Sequence, residues 1–131
     1  MPLYKVASGG EASRFMLALK SYLKSKSLVD LFIFDEIDTG VSGSTAKKIA
    51  IKMHQISKDC QVLCITHLPQ VAAIGDFHKH IYKKLENNRT ITLIDDLKEE
   101  RRIEEIAMML SGDKISLYAL EHAKDLLNNK I

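Results

Sequence analysis

Only two cysteines occur in the 131 residues, Cys60 and Cys64, so no disulfide framework organises this chain. They flank one apolar run. In an extended strand they would share a face yet lie too far apart to pair, which reads as two reduced core thiols. No apolar stretch approaches the roughly 20 residues needed to cross a bilayer, and no signal peptide opens the chain, so no membrane is expected and the expected home is the cytoplasm. No charge of one sign dominates: 19 Lys and Arg stand against 17 Asp and Glu, a formal +2. That balance neither requires nor excludes nucleic acid. Internal repeats, low-complexity segments and linkers are absent too. So is the Gly-x-x-x-x-Gly-Lys-Ser/Thr run that cradles phosphates, which means that such a loop would have to come from elsewhere.

What remains is an ordinary globular composition, 46% hydrophobic and 27% charged. At this length one domain with a real core is expected, burying roughly two-thirds of its unfolded surface. Ser8-Gly9-Gly10-Glu11 predicts a helix start, with Ser8 as the cap and Glu11 where a capping box needs it. Phe15, Met16, Leu19, Tyr22 and Leu23 then recur at helical spacing, and the helix should run to about Lys26. Leu28 to Phe34 is a near-continuous apolar run, as a strand buried on both faces of a parallel sheet would be. Gly40 to Gly43 is a loop. A helix capped by Ser42 or Ser44 carries Ala46, Ile49, Ala50, Met53 and Ile56. Gln61 to Ile65 is the next buried strand, which completes a parallel βαβ unit. A short helix from Leu68 to Ile74, a hairpin of His80–Leu85 and Thr90–Ile94, and helices over Glu99–Leu110 and Ser116–Asn128 follow, forming one compact α/β lobe.

Three segments carry chemistry. Asp35-Glu36 ends the first buried strand, where open α/β sheets place their ligands. There the first carboxylate can hold Mg²⁺ and the second can polarise an attacking water. Alone, the pair could equally be two acids ending a strand in solvent. Thr66-His67 ends the neighbouring strand and should lie beside it, with His67 able to donate to a phosphate oxygen or hold a water. Ser8-Gly9-Gly10 offers consecutive unobstructed N–H groups at a helix N-terminus, a geometry suited to an anion. By contrast, Gly40 to Thr45 has the wrong spacing for a phosphate loop and reads as a partner contact. His78 and His80 share a strand face without a third ligand in view, and read as surface histidines.

In this order the motifs resemble the ABC ATPase head domain. Val6 to Glu11 is similar to its signature motif, Leu31 to Glu36 to its Walker B strand and His67 to its switch histidine. Ala7 to Lys20, Asp35 to Gly43, Thr66 to Asp76, Glu104 to Gly112 and His122 to Leu127 resemble the C-terminal region of the RecN family, SMC-like bacterial proteins of DNA double-strand-break repair and recombination. The resemblance implies a partial P-loop NTPase lobe: a parallel βαβ core, a C-terminal antiparallel hairpin and two C-terminal helices. It implies Asp35 as the Mg²⁺ residue, with Glu36 and His67 catalytic. Ser8, Gly9, Gly10 and Glu11 would meet the γ-phosphate of ATP held by an opposite subunit. Asp38, Thr39, Gly40, Ser42 and Gly43 would lie at the head interface. The implied partners are an N-terminal half bearing Walker A, a second head and DNA, in the cytoplasm at the nucleoid. Many ABC proteins carry Asp where Ser42 stands, and Ala12 replaces a more usual Leu. Walker A, the Q-loop and the coiled-coil arm are not on this chain, so an excised fragment or a truncated reading frame, inactive alone, is expected. The rival reading is a non-catalytic dimerisation or partner-binding module. A transporter head is disfavoured by Ile37-Asp38-Thr39-Gly40, where such heads usually carry Pro.

Overall fold

The computed structural model describes residues 9–22 and 30–129, so Ser8, Leu23, the expected helix end at Lys26 and Leu28 lie outside the described residues. The first helix, α1, spans Gly9–Tyr22, with Glu11 in its first turn and Lys20 in its last, each matched to the helix dipole. Its buried stripe is Gly10 and Leu17. The apolar stripe read from the sequence is not that face: Phe15, Met16, Leu19 and Tyr22 are all exposed. Helical periodicity marks an apolar face correctly but does not say what covers it.

Strand β1 (Leu31–Phe34) leads through a turn to α2 (Gly43–Ile56) and then to β2 (Gln61–Cys64). The strands pair in parallel, Leu31 opposite Gln61 and Phe34 opposite Cys64. Ser42 stands at the N-cap of α2 in extended backbone, but its side chain makes no capping bond. The apolar stripe of α2, Ala46, Ile49, Ala50, Met53 and Ile56, is buried together with Phe34, Ile37, Leu17 and Val71. Phe32, Val62, Cys60 and Cys64 pack against that core. Both thiols are free. Helix α3 (Pro69–Ile74) closes this unit, with Pro69 at its first position, where a missing N–H leaves nothing unpaired.

The strands are covered on one face, not on both as expected. Leu31, Ile33, Leu63 and Ile65 are 45%, 60%, 47% and 49% exposed. Alternation along a strand sends these side chains away from α2, and no described element of this unit lies over them.

The chain divides after Ile74 into a second compact unit beginning at Gly75, where one lobe was expected. Here β3 (His78–Glu86) and β4 (Arg89–Leu97) form an antiparallel hairpin, each longer than read from the sequence. Asn87 and Asn88 join them with φ of 49° and 58°. A two-residue type I′ turn needs positive φ at both positions, and Asn tolerates it better than most residues. Helices α4 (Glu99–Ser111) and α5 (Leu117–Asn128) pack together in the same unit. Gly112 ends α4 at φ 89°. The Ser116 hydroxyl caps α5 by accepting the Ala119 N–H at 3.1 Å. The buried apolar residues here are Leu97, Ile106, Ala107, Ala119 and Ala123.

Candidate active site at the ends of two parallel strands

The parallel register sends both strands out at one level. The Ile65 N–H donates to the Phe34 carbonyl at 2.9 Å, extending the ladder by one bond. Asp35-Glu36 therefore leaves β1 beside the point where Thr66-His67 leaves β2. Asp35 and Glu36 are both exposed. Glu36 has φ 55°, a left-handed conformation that costs a non-glycine residue roughly 1–2 kcal/mol. That residue breaks the strand direction. The turn is closed by Thr39 N–H donating to the Glu36 carbonyl at 3.1 Å and Val41 N–H to the Asp38 carbonyl at 3.3 Å. Ile37, within it, is wholly buried.

Helix α1 is tied to this turn by side chains that the sequence reading passed over. The Ser13 hydroxyl donates to the Asp35 carbonyl at 2.8 Å, and Arg14 Nη1 donates to the Ile37 and Thr39 carbonyls at 3.2 and 2.9 Å. The glycines at its N-terminus admit the turn. A Cβ on Gly9 would stand 2.6 Å from Glu36 Oε2, and one on Gly10 would stand 2.6 Å from the Glu36 carbonyl oxygen and 3.2 Å from Thr39 Cβ. Both glycines thus have a local reason to lack a side chain. Glu11 is exposed on the first turn, and Ser8, expected to cap it, lies outside the described residues.

Asp38, expected at the head interface, has a side chain that is 2% exposed within this chain. Its Oδ2 accepts the Thr66 hydroxyl and, at 3.1 Å, the His67 backbone N–H. His67 Nδ1 lies 3.4 Å from the same oxygen, while the imidazole is 71% exposed. The Thr66 hydroxyl in turn accepts the Leu68 N–H at 3.0 Å. Buried carboxylates need such donors, and these join the two strand ends. Thr39, Gly40, Ser42 and Gly43 remain at the surface. Gly40 has φ 71° and open space around it.

Burial pushes the Cys64 thiol from 9.0 up to about 12, with Asp38 and Asp35 adding to the rise. In the second unit, His80 Nδ1 lies 3.5 Å from Glu105 Oε2. The His78 imidazole is held below its ordinary pKa by burial, then by Arg102 and His80. Among the described residues no three His, Cys, Asp or Glu side chains come together to hold a metal ion.

No family model matches the chain. It is 51% identical over 125 residues to the DNA repair protein RecN of Bacillus subtilis, covering 95% of this chain. It is 53% identical over 127 residues to that of Halalkalibacterium halodurans and 47% over 126 residues to that of Treponema pallidum. Among solved structures, one described for ATP-driven dimerization and DNA-stimulated activation of SMC ATPases matches with a TM-score of 0.57. That match covers 82% of this chain and 64% of the other at 21% identity, and it shows that the two chains share an α/β fold. The chain corresponds to a segment of the RecN family, spanning about 22% of the length of the curated relatives it matches.

Proposed function

We propose that this chain supplies the acidic, histidine and signature-helix part of an ATP-hydrolysing head in a DNA-repair protein of the RecN kind. The observation that carries the reading is the meeting of Asp35-Glu36 and Thr66-His67 at adjacent ends of parallel strands, joined through Asp38.

In this reading Asp35 holds Mg²⁺, directly or through water. One exposed carboxylate fits that role, because this ion commonly takes one or two protein carboxylates and completes its shell with phosphates and waters. Bound Mg²⁺ would neutralise charge developing on the phosphates. Glu36 accepts the proton of the attacking water. His67 contacts a terminal phosphate oxygen or that water. Ser8, Gly9, Gly10 and Glu11 face the γ-phosphate of ATP held by a second head. Thr39, Gly40, Ser42 and Gly43 line the contact between heads, where a two-fold axis makes each patch serve both sites. Asp38 acts from inside that loop.

The phosphate cradle and its Lys come from a Walker A half of the same longer protein. The uncovered face of Leu31, Ile33, Leu63 and Ile65 supports this, since an apolar sheet face is stabilised by a second layer. DNA is the partner of the longer protein, at the nucleoid. Among the described residues no helix is long and apolar enough to cross a membrane.

The chain alone should show no micromolar binding of Mg·ATP by calorimetry, because most phosphate contacts belong to the absent loop. Joined to a segment bearing that loop, it should bind and turn over ATP. Clear micromolar binding by the isolated chain would sink the division of labour proposed here.

A further inference from the structure

We propose that Asp38 is a positioning residue that holds the His67 imidazole as its Nδ1–H tautomer, leaving Nε2 as the ring nitrogen available to a ligand. The geometry is independent of ATP; only the use of Nε2 in hydrolysis rests on the function proposed above.

Two donors and one ring nitrogen surround one oxygen. The Thr66 hydroxyl and the His67 N–H both donate to Asp38 Oδ2, and His67 Nδ1 stands 3.4 Å from it. A lone pair on Nδ1 would set two acceptors against each other beside a carboxylate that is 2% exposed. A proton on Nδ1 turns that contact into attraction. The tautomer of a neutral histidine follows the partner of its other nitrogen, so the carboxylate decides it. Thr66 strengthens the arrangement. Its hydroxyl accepts the Leu68 N–H at 3.0 Å, so its own proton is directed to Asp38. The His67 N–H is thereby held by the carboxylate and the Leu68 N–H by the Thr66 hydroxyl, so the ring lies with Nδ1 towards Asp38 while remaining 71% exposed.

The consequence is chemical. A neutral Nδ1–H ring accepts a hydrogen bond at Nε2, and it donates from Nε2 only as the imidazolium. In the neutral ring Asp38 therefore leaves Nε2 as an acceptor, able to receive a hydrogen bond from water.

The test uses this chain labelled with ¹⁵N-histidine, reading long-range ¹H–¹⁵N imidazole correlations, with His67 assigned from a His67→Gln variant. Wild type should show neutral His67 as the Nδ1–H form. Asp38→Ala should convert it to Nε2–H. Asp38→Asn, whose carbonyl oxygen can still accept, should keep Nδ1–H. Thr66→Val, which removes the hydroxyl and its bonds to Asp38 and Leu68 but leaves the carboxylate in place, should keep it as well. Amide dispersion shows whether each variant is folded. If Asp38→Ala fails to fold, the wild-type spectrum decides, because an Nε2–H ring there overturns the proposal. An unchanged Nδ1–H ring in folded Asp38→Ala overturns it too. No nucleotide enters the experiment, so its failure is distinct from a failure of the ATPase reading.

Discussion

Gly9 and Gly10 look interchangeable in the sequence, but the structure separates them. A Cβ on Gly9 meets the far end of the Glu36 side chain, which can swing aside; one on Gly10 meets the Glu36 carbonyl oxygen at 2.6 Å. Backbone oxygen cannot move without opening the turn that Thr39 closes. Gly10→Ala should therefore destabilise the chain by about 1–3 kcal/mol, the usual cost of overpacking. Gly9→Ala should cost clearly less. Urea unfolding of both variants checks this, and equal losses would contradict the assignment. At this scale the placement of Asp35, Glu36 and His67 at adjacent strand ends was legible, because it follows from where the two apolar runs stop. Asp38, Ser13 and Arg14 were not. Their partners are fixed by the left-handed backbone at Glu36, which no residue type announces there.

Among the elements, the order of helices and strands was readable from periodicity, and the hairpin from its two asparagines. Burial was less so. The strand runs were read as doubly buried, but only Phe32, Phe34, Val62 and Cys64 face the core, and the alternate residues are exposed. The same alternation sets the chemistry of Cys64 in β2. With its thiol pushed up to about 12, Cys64 should react with iodoacetamide at pH 8 at least about tenfold more slowly than a cysteine in a short peptide, after allowing for the greater nucleophilicity of a more basic thiolate. The sign for stability follows. Below pH 9 both folded and unfolded chains keep the proton. Between 9.0 and about 12 the unfolded chain loses it first, so this group's contribution makes stability fall as pH rises through that window. Peptide-like reactivity of Cys64 in the folded chain would show that the thiol is not held in the core.

For the whole molecule, the fold was legible because strand, helix and strand recur in an order that few architectures accommodate. The division after Ile74 and the uncovered sheet face were not, since both depend on what packs against what. The apolar face and the missing phosphate loop point the same way. In the functional reading, this chain is a catalytic half-surface whose activity exists only when a loop-bearing half and a second head complete it. The most direct measurement is ATP turnover of the longer protein carrying Glu36→Gln, with dimerisation followed by light scattering. The amide keeps the shape and removes the base, so turnover should fall at least about a hundredfold while ATP still binds and ATP-dependent dimers accumulate. Turnover at the wild-type rate would contradict the account, because the acidic pair at the end of β1 would then not be the catalytic centre.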